Sequence, residues 1–324
     1  MDRETLIKYV RQWGGVNTNG LLDKDCLIFT SPEIEGFIGY KVVSSYAIVY
    51  GNPVCSEEKI PNLANAFEQF CHQNMLKTLY TMVSLDFAKW AITNHSAIAI
   101  EFGFNLVFNP HHLPTKNIGS KGGLVRRKVK HALKEGVVVH EYIGEDRHVE
   151  EQIEYIVNSW IQNRRGFQIH LCHVTVFQDR VGKRWFYAKK DGVIVGFLVL
   201  NELKSQQGWL LNNIMFLKNA PNGISELLII SALEALDKEG CRMVLVGPIP
   251  KKDLTNMIGL NPFKTFLFRI VYKFIRNIFG LSGQEIFWDK FQVDSYEDSY
   301  LVFPHGKLGF GSIRSVIQVF NEFK

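Results

Sequence analysis

The stretch "FLKNAPNGISELLIISALEALDKEG", residues 216–240, decides the fold class. It starts at the end of an apolar strand predicted over 209–216, turns at Pro-Asn-Gly (221–223) and continues as a long apolar helix. Another strand is predicted directly after it, over 242–246. Several transferase folds hold an anionic or acyl donor at such a strand, turn and helix N-terminus, against backbone N–H groups. This turn has one glycine, whereas coenzyme A and nucleotide cradles typically repeat that residue.

The same order of elements is predicted in both halves of the chain. In the first half, a hairpin over 36–42 and 46–50 leads through the turn "GNPV" (51–54) to a helix over 61–73 and a strand over 76–83. In the second half, a hairpin over 185–189 and 193–200 and the strand over 209–216 lead to a helix over 224–239 and the strand over 242–246. This order predicts a duplicated α/β (α+β) unit. The alternative is chance recurrence of a common pattern.

Composition is that of an ordinary globular protein. The chain has 324 residues, of which 46% are hydrophobic and 21% are charged, and its net charge is +5. That length suits two domains. The five cysteines are scattered and form no CxxC pair, which argues against a disulfide framework or a zinc knuckle. The N-terminus lacks the apolar centre of a signal peptide, and no uncharged run approaches the length of a membrane span, so we expect a cytoplasmic protein.

A basic helix is predicted between the halves, within residues 116–136. Its cationic arc contains Arg126, Arg127, Lys130, His131 and Lys134, and its apolar side contains Val125, Val129, Ala132 and Leu133. Glu135 is the only acid in this stretch, and Gly136 is expected to end the helix, which Gly122 and Gly123 precede. The cationic arc is either a solvated face or a surface that attracts RNA or lipid phosphate.

A second basic stretch, residues 261–281, is rich in phenylalanine. Asn261 is predicted to cap a helix whose first residue is Pro262. Arg269, Lys273 and Arg276 form one narrow edge, and most of the remaining circumference is apolar. No acid occurs from Leu254 through Gln284. Such a helix is either buried in a core or lies in a membrane interface with its basic edge towards phosphates.

Other motifs for chemistry are few. The sequence "HLCH" contains His170, Cys172 and His173 without a further ligand pair, so we predict no metal site. Near the C-terminus, Lys290 lies between Trp288 and Phe291 in the aromatic stretch 283–304. A lysine held there could stabilise an oxyanion or a phosphate. The alternative is a surface lysine whose stem packs on aromatic rings.

Together these segments resemble a known family, the soluble C-terminal domain of bacterial phosphatidylglycerol lysyltransferases and alanyltransferases. The similar segments are "GNPV" (51–54), "GLVRRKVKHALKEG" (123–136), Trp160 in the next helix, "NAPNG" (219–223), "GQEIFWDKF" (283–291) with Tyr296, and "YLVFP" (300–304). They cover nearly the whole chain in the order of the family pattern.

The resemblance implies two tandem acyltransferase domains of the GNAT type, each a mixed, mostly antiparallel sheet flanked by helices. We expect an N-terminal domain over 1–118, a basic connecting helix and strand over 119–145, and a C-terminal domain over 146–324 with the active site. Family members move an aminoacyl group from tRNA to a glycerol hydroxyl of a lipid. The implied partners are therefore aminoacyl-tRNA and an anionic lipid or membrane surface, without DNA and without a cofactor. The implied location is the cytoplasm or the inner face of its membrane.

The resemblance also implies roles for individual residues. Lys290 would stabilise an oxyanion or a phosphate, Asn212 would contact the aminoacyl group, and Tyr300, at the start of a final apolar strand, would orient the acceptor. The donor would lie at Asn219, Pro221, Asn222, Gly223 and Ser225. The phosphates of tRNA would bind Arg126, Arg127, Lys130 and Lys134. Lipid would meet Phe266, Arg269, Lys273, Phe274 and Arg276, within the segment 263–279.

The chain departs from the family pattern at several positions. Many members carry an acid and an arginine where this chain has Asn212 and Met215, and a lysine where it has Trp288. A glutamate expected near the helix before Lys290 is missing. The fold inference survives these departures, but lysyl or alanyl specificity does not follow.

Two other functions remain open on the same fold. The first is a coenzyme A-dependent N-acetyltransferase, against which the turn with a single glycine argues. The second is a non-catalytic relative that binds RNA or a membrane.

Overall fold

A computed structural model describes residues 1–163, 172–278, 282–306 and 308–319. Its strands are β1 (Leu27–Ser31), β2 (Ile34–Val43), β3 (Tyr46–Tyr50), β4 (Val54–Cys55), β5 (Lys77–Val83), β6 (Ile98–Phe108), β7 (Val138–Tyr142), β8 (Lys183–Lys190), β9 (Val193–Leu203), β10 (Gly208–Phe216), β11 (Val244–Pro250), β12 (Met257–Ile258) and β13 (Ser295–Phe303). Its helices are α1 (Arg3–Trp13), α2 (Thr18–Leu21), α3 (Ile60–Gln73), α4 (Leu85–His95), α5 (Gly119–Lys134), α6 (Arg147–Asn163), α7 (Ile224–Lys238), α8 (Pro262–Ile278), α9 (Ser282–Asp289) and α10 (Phe310–Val319). None of these helices is long and apolar enough to span a bilayer.

The strands form one mixed sheet in the order β1-β2-β3-β5-β13-β6-β11-β10-β9-β8-β7, with β12 beside β6 and β4 beside β2. Along this sheet, β3 and β5 are parallel, as are β10 and β11. Each parallel pair is joined by a crossover helix, α3 in the first case and α7 in the second. An antiparallel meander, a turn, a crossover helix and a parallel strand therefore occur in both halves. The predicted α/β class, with a mixed sheet flanked by helices, is confirmed.

The two halves exchange strands at the centre of the sheet. The strand β6, which precedes α5 in the chain, pairs with β11 of the second half. The strand β13, which is the last strand in the chain, pairs with β5 of the first half. These two exchanged strands also pair with each other, from Ser295 opposite Val107 to Phe303 opposite Ile98. The sheet is therefore continuous, and the boundaries 1–118, 119–145 and 146–324 stay a prediction.

The helix α7 forms the centre of the second-half core. Nearly all of its first ten residues are buried, as expected for a helix that is apolar on every side. It packs against the second-half sheet and against Val125 and Ala132 of α5. Leu133, expected on the apolar side of α5, is exposed, because the packed side of α5 is a narrow stripe.

The basic helix α5 begins earlier than predicted. It starts at Gly119, so that Gly122 and Gly123 lie inside it and do not precede it. A Cβ atom at Gly122 would lie 2.1 Å from the carbonyl oxygen of Asn117, so glycine permits the close approach of the first turn to the preceding loop. At the other end Gly136 has a φ of +81° and donates to the carbonyl of Leu133, as predicted for the glycine that ends the helix.

A backbone contact fixes α5 against the turn that precedes α7. Gly223 caps α7 with a φ of +94°, and a Cβ atom there would lie 2.0 Å from the carbonyl oxygen of Lys128 in α5. Glycine is required at this turn for two reasons, its backbone conformation and the space that a side chain would need.

We predict that Gly223→Ala destabilises the protein more than Gly136→Ala does. Both residues have positive φ, which costs an alanine about 1–2 kcal/mol. A methyl group at Gly136 meets no atom within 4 Å, whereas one at Gly223 meets the Lys128 carbonyl. The Gly223 variant should lose about 1–3 kcal/mol more for this overlap. Urea unfolding of the two variants measures the difference, and equal losses would show that α5 can move away from the turn.

Candidate active site

The two parallel strands of the second half stay paired over a short distance only. Pairing of β10 with β11 is confined to Trp209 opposite Val244 and Leu210 opposite Leu245. Beyond these residues, β10 pairs with β9 and β11 pairs with β6. The corresponding strands of the first half, β3 and β5, stay paired along the full length of β3. The second half therefore has a divergence between its parallel strands that the first half lacks.

Asn212 lies at the start of this divergence. The register of β10 against β9 shifts between Leu211 and Asn213, so Asn212 is the extra residue of a bulge. Bulges redirect side chains and end regular pairing, and they are common beside active sites. Met215, the other residue that departs from the family pattern, is buried on the opposite face, against α6.

The end of α9 and the residues after it pack into the same core as these strands. Trp288 and Phe291 are buried in the same core as Leu211 of β10 and Ile249 of β11. Between these two aromatic residues, Lys290 extends towards the first turn of α7. The packing of its neighbours thus determines where its ammonium group lies.

Lys290 forms a buried ion pair with Glu226 in the first turn of α7. The Nζ atom lies 2.5 Å from Glu226 Oε1, and the two side chains are 13% and 5% exposed. The other carboxylate oxygen of Glu226 accepts a hydrogen bond of 2.9 Å from the Ser225 hydroxyl. The ammonium also lies 3.9 Å from the centre of the Phe287 ring, a distance typical of a cation–π contact.

Glu226 is ionised in this environment. Burial acts to raise the pKa of its carboxyl group, whereas the hydrogen bond and the charge of Lys290 lower it. Its own backbone N–H and the Ser225 hydroxyl lower the pKa further. The net pKa lies below the ordinary value for glutamate, so the pair consists of a carboxylate and an ammonium at neutral pH.

The residues predicted to bind the donor differ in their exposure and in their contacts. Ser225 and Lys290 are brought together, because both donate to Glu226. Asn219 is exposed and Pro221 is half-buried. Asn222 is held by α5, since Lys128 Nζ donates to its side-chain oxygen over 2.6 Å and His131 Nδ1 lies 3.1 Å from its carbonyl oxygen. The turn is therefore attached to α5, although Asn222 itself is exposed.

Tyr300 is not brought to Lys290. It lies in the middle of β13 and does not begin that strand, because pairing with β6 already starts at Ser295. Its ring is buried in the core of the first half, away from the core that holds the residues around Lys290. Its hydroxyl lies 3.5 Å from Glu101 Oε2, at the edge of hydrogen-bonding distance.

A cavity of about 410 Å³ lies where the exchanged strands meet α9. Its lining consists of Phe104, Leu106, Ile249, Lys251, Glu285, Trp288, Asp289, Tyr296 and Asp298. Lys251 is paired with buried Glu101 and lies 3.1 Å from Asp298. The cavity thus has an apolar and aromatic wall and a charged rim, and Tyr300 reaches it only through Glu101 and Lys251. Neither Lys290 nor the turn before α7 is part of this lining.

The helix α8 presents an apolar stripe to solvent. Asn261 caps it as predicted, because its side-chain oxygen accepts from the Lys264 N–H over 2.8 Å. The stripe consists of Phe263, Phe266, Leu267, Ile270 and Phe274, which are 50–75% exposed. The expectation of a helix buried all round is therefore wrong, because only the opposite side, with Phe268 and Tyr272, packs on the protein. Phe279, also expected to meet lipid, lies outside the described residues.

The cations of α8 face inwards more than expected. Arg269 donates to the carbonyl oxygens of Leu254 and Thr255, and Arg276 donates to Glu285 of α9 over 2.9 Å. Lys273 is exposed and lies 3.6 Å from Asp253. A smaller cavity of about 310 Å³ lies beside it, lined by Asp253, Leu254, Thr255, Arg269, Tyr272 and Lys273. Two of the three predicted phosphate contacts on this helix thus hold the fold together.

The cationic arc of α5 is divided in a similar way. Arg126 is exposed but donates to the carbonyl oxygens of Thr115 and Asn117, which fixes the loop before the helix. Arg127, Lys130 and Lys134 are exposed to solvent. These three residues form the part of the arc that a polyanion can reach.

The "HLCH" motif is placed only in part, because His170 lies outside the described residues. His173 lies beside Asp23 and Asp25, with their ligand atoms within 4.8 Å of one another. Asp23 accepts from both the backbone N–H and the ring of His173, which accounts for this arrangement. The acids precede the histidine by about 150 residues, so sequence spacing could not reveal the group. The absence of a metal site stays a prediction.

Sequence analysis missed Glu226. It lies three residues after the capping Gly223, where glutamate is common for helix capping alone. Its sequence neighbours could have identified it, because the residues on both sides of Ser225-Glu226 are apolar and therefore predict burial. A buried carboxylate requires a cationic partner, and the missing glutamate of the family pattern was a further reason to look for one.

We predict that Lys290→Met destabilises the protein by roughly 3–5 kcal/mol at neutral pH, because Glu226 is left buried without its cation. The loss should shrink as the pH falls. In the wild type the folded pKa of Glu226 is lowered, so the contribution of the pair is present above the unfolded pKa and is lost as the pH falls through the folded one. In the Lys290→Met variant, burial raises the pKa of Glu226, so this carboxyl group takes up a proton as the pH falls. Protonation removes the unpaired buried charge and so reduces the loss of stability.

Urea unfolding at neutral pH and at about pH 4 measures this difference. Lys238→Met, at an exposed lysine at the end of α7, is the matched control. A loss for Lys290→Met that is independent of pH, or equal to that of the control, would contradict the assignment of a buried ion pair.

Comparison with known proteins identifies the family of the chain. Residues 20–303 match the family described as "Phosphatidylglycerol lysyltransferase, C-terminal". No curated protein matches the chain. Among solved structures, L-PGS from Bacillus licheniformis is similar with a TM-score of 0.78 at 16% identity, over 99% of this chain and 98% of that one.

Two further structures share the fold. The C-terminal domain (DUF2156) of a protein assigned as a lysylphosphatidylglycerol synthetase from Agrobacterium fabrum has a TM-score of 0.77 at 17% identity, over 98% of this chain and 94% of that one. FemX is more distant, with a TM-score of 0.52 at 10% identity and 98% of both chains covered. At these identities the structures show the fold alone. The family match covers most of the sequence, and the chain therefore belongs to the phosphatidylglycerol lysyltransferase C-terminal family of transferases.

Proposed function

We propose that this chain transfers an aminoacyl group from tRNA to a lipid at the membrane surface, or to another small hydroxyl or amine acceptor. The observation that carries this proposal is the position of α8, which exposes an apolar stripe and, through Tyr272 and Arg276 outside the stripe, contacts residues that line the charged cavity. Family membership indicates the reaction class. The residues of α8 support a lipid as one substrate, and those of α5 support tRNA as the other.

The lipid side of the proposal rests on α8. Five large apolar side chains on one exposed helix face are unusual for a protein surface. Lys264 and Lys273 flank the stripe and are exposed, so that a helix lying in the headgroup region would place cations near lipid phosphates. Charge and apolar surface thus favour an anionic bilayer as the partner of this face. The protein would then act at the inner face of the cytoplasmic membrane.

The cavity is connected to α8 by direct contacts. The Tyr272 hydroxyl donates to the carbonyl oxygen of Lys251 over 2.5 Å, and Lys251 lines the cavity. Arg276 donates a hydrogen bond to Glu285, which also lines the cavity. A lipid that enters along α8 would therefore bring its headgroup to the cavity rim. Lys251, held by Glu101, is suited to meet a phosphate there, and Tyr300 would orient the acceptor through Glu101.

The tRNA side of the proposal rests on α5. Its exposed cations, Arg127, Lys130 and Lys134, can attract RNA phosphates. The same helix contacts Asn222 through Lys128 and His131. A tRNA bound along α5 would therefore have its acceptor end near the turn before α7, close to Ser225 and Lys290.

The proposed reaction is an ester exchange. The acceptor hydroxyl oxygen attacks the carbonyl carbon of the aminoacyl ester, and a tetrahedral oxyanion forms. The bond from this carbon to the tRNA ribose oxygen then breaks, and the acceptor proton ends on the ribose hydroxyl. Lys290 would stabilise the oxyanion, and Asn212 at the bulge would contact the aminoacyl group. Because the donor is already an activated ester, alignment and charge stabilisation can supply most of the catalysis.

Coenzyme A fits this turn poorly. A pyrophosphate would need free N–H groups at the start of α7, but the Glu226 carboxylate already lies in the first turn of this helix. A second anion beside this carboxylate would be repelled.

We predict that the protein moves a labelled aminoacyl group from tRNA into the lipid extract of vesicles that contain phosphatidylglycerol. Several charged tRNAs, lysyl and alanyl among them, should be tested, because the sequence does not define the amino acid. Lys290→Met should lower the rate about 100-fold if the lysine stabilises the oxyanion. Reversing the charges of Arg127 and Lys130 should raise the KM for tRNA.

Reversing two exposed lysines of the first half, Lys59 and Lys89, is the control for net charge. An absence of transfer with every charged tRNA would contradict the proposal. Consumption of acetyl-coenzyme A, with a rise in Tm on its addition, would favour the N-acetyltransferase alternative.

We also predict that the protein floats with anionic vesicles and that the double variant Phe266→Glu/Phe274→Glu does not. Each phenylalanine contributes about 1.5–3 kcal/mol when it leaves water, so losing both should weaken binding more than about 100-fold. Ile143→Glu/Val181→Glu changes two exposed apolar residues elsewhere and is the matched control. Unchanged flotation of the α8 variant would remove this helix from the lipid side of the proposal.

A further inference from the structure

Glu226 carries a buried charge, and the stability of the fold does not explain why this charge is present. Its side chain is 5% exposed, and apart from Ser225 the other buried residues of α7 are apolar. Buried ion pairs gain little, because desolvation of both groups offsets their attraction, and an apolar pair of similar volume is often as stable or more stable. The core around α7 could accept such an apolar pair. A buried pair beside a divergence of strands is instead typical of a functional site.

We propose that Glu226 is a positioning residue that fixes the ammonium group of Lys290 for the transfer reaction. This inference rests on the proposed function, and it assigns to that site a residue that no family motif quoted above contains. Glu226 also supplies a carboxylate to the site, whereas the glutamate that the family pattern has near the helix before Lys290 is missing from this sequence.

The geometry around Nζ supports this role. One N–H of the ammonium is directed to Glu226 Oε1, and the face of the Phe287 ring covers another side at 3.9 Å. The Phe291 ring lies on a further side, 5.3 Å from Nζ. These contacts restrict the orientation of the ammonium group, and the N–H groups that are not bonded to Glu226 are the ones that can reach a carbonyl or phosphate oxygen. Without Glu226, the flexible lysine stem would sample several orientations.

Glu226 itself is not placed to touch a substrate. One oxygen is taken by Lys290 and the other by the Ser225 hydroxyl. Its pKa is lowered, which makes it a poor proton acceptor. A role as general base is therefore excluded by its contacts, and its effect on the reaction must pass through Lys290.

The test compares Glu226→Gln with the charge-swapped variant Glu226→Lys/Lys290→Glu. Glutamine keeps the shape of the side chain but removes its charge, so kcat for aminoacyl transfer should fall about 100-fold, as expected for a misplaced catalytic group. The KM for aminoacyl-tRNA should rise by about tenfold, the contribution of the fixed N–H to donor binding, which is less than the fall in kcat. Glu234→Gln, at an exposed position on the same helix, is the matched control and should keep the wild-type kcat.

The swapped variant separates positioning from stability. It restores an ion pair, so its Tm should exceed that of Lys290→Glu alone. Its ammonium group, however, belongs to a side chain of α7 and lies in a different position, so aminoacyl transfer should stay low. Recovery of kcat together with Tm would overturn the inference, because a merely structural pair would suffice. If the swapped variant does not fold, kcat of Glu226→Gln decides: the wild-type value overturns the inference.

Binding provides a readout that does not depend on turnover. An aminoacyl-adenosine with an amide in place of the ester should bind Glu226→Gln at least about tenfold more weakly than wild type, because the fixed N–H donor is lost. If wild type transfers nothing but shows this difference, the proposed function fails, whereas the positioning of the Lys290 ammonium group by Glu226 stands. Equal binding by both proteins, or no binding by wild type, overturns the inference.

Discussion

The ion pair between Lys290 and Glu226 is the interaction on which the candidate site depends. It joins the residue after α9 to the first turn of α7, over 2.5 Å and in nearly complete burial. Both ends are fixed independently: Trp288 and Phe291 pack in the core on either side of Lys290, and Gly223 seats the start of α7 against α5. The position of one ammonium group is thus determined by three helices.

The exchange of β6 and β13 explains why the cavity belongs to neither half alone. Its lining takes Phe104 and Leu106 from β6, Ile249 from β11, and Tyr296 and Asp298 from β13. The chain between β11 and β13 forms α8 and α9, which lie over this junction and contact its rim. The helix with the exposed apolar stripe is therefore attached to the cavity, while α5, which also carries the exposed cations, contacts the turn before α7 through Lys128 and His131. We propose that lipid binds at the first of these surfaces and tRNA at the second.

The sequence predicted the elements well where periodicity and capping agree. The helices α3 and α7 and the strands around them were predicted within a few residues, because their apolar patterns have a clear period and their turns contain glycine or proline. The start of α5 was wrong because two adjacent glycines usually interrupt a helix, whereas here one of them permits a close contact. The burial of α8 could not be decided, since a helix with apolar residues on most of its circumference has no unique inner face. The ion pair of Glu226 was missed because its partner is 64 residues away, and pairing at such distances is set by packing.

The central claim is that the fixed ammonium of Lys290 meets the carbonyl group of an aminoacyl donor at the start of α7. The most direct measurement is a crystal structure of the protein with the amide-linked aminoacyl-adenosine. The account predicts the carbonyl oxygen within about 3.2 Å of Lys290 Nζ, with the Glu226 contact retained and the adenosine directed towards α5. An analogue bound away from Lys290, or one that displaces Lys290 from Glu226, would contradict it.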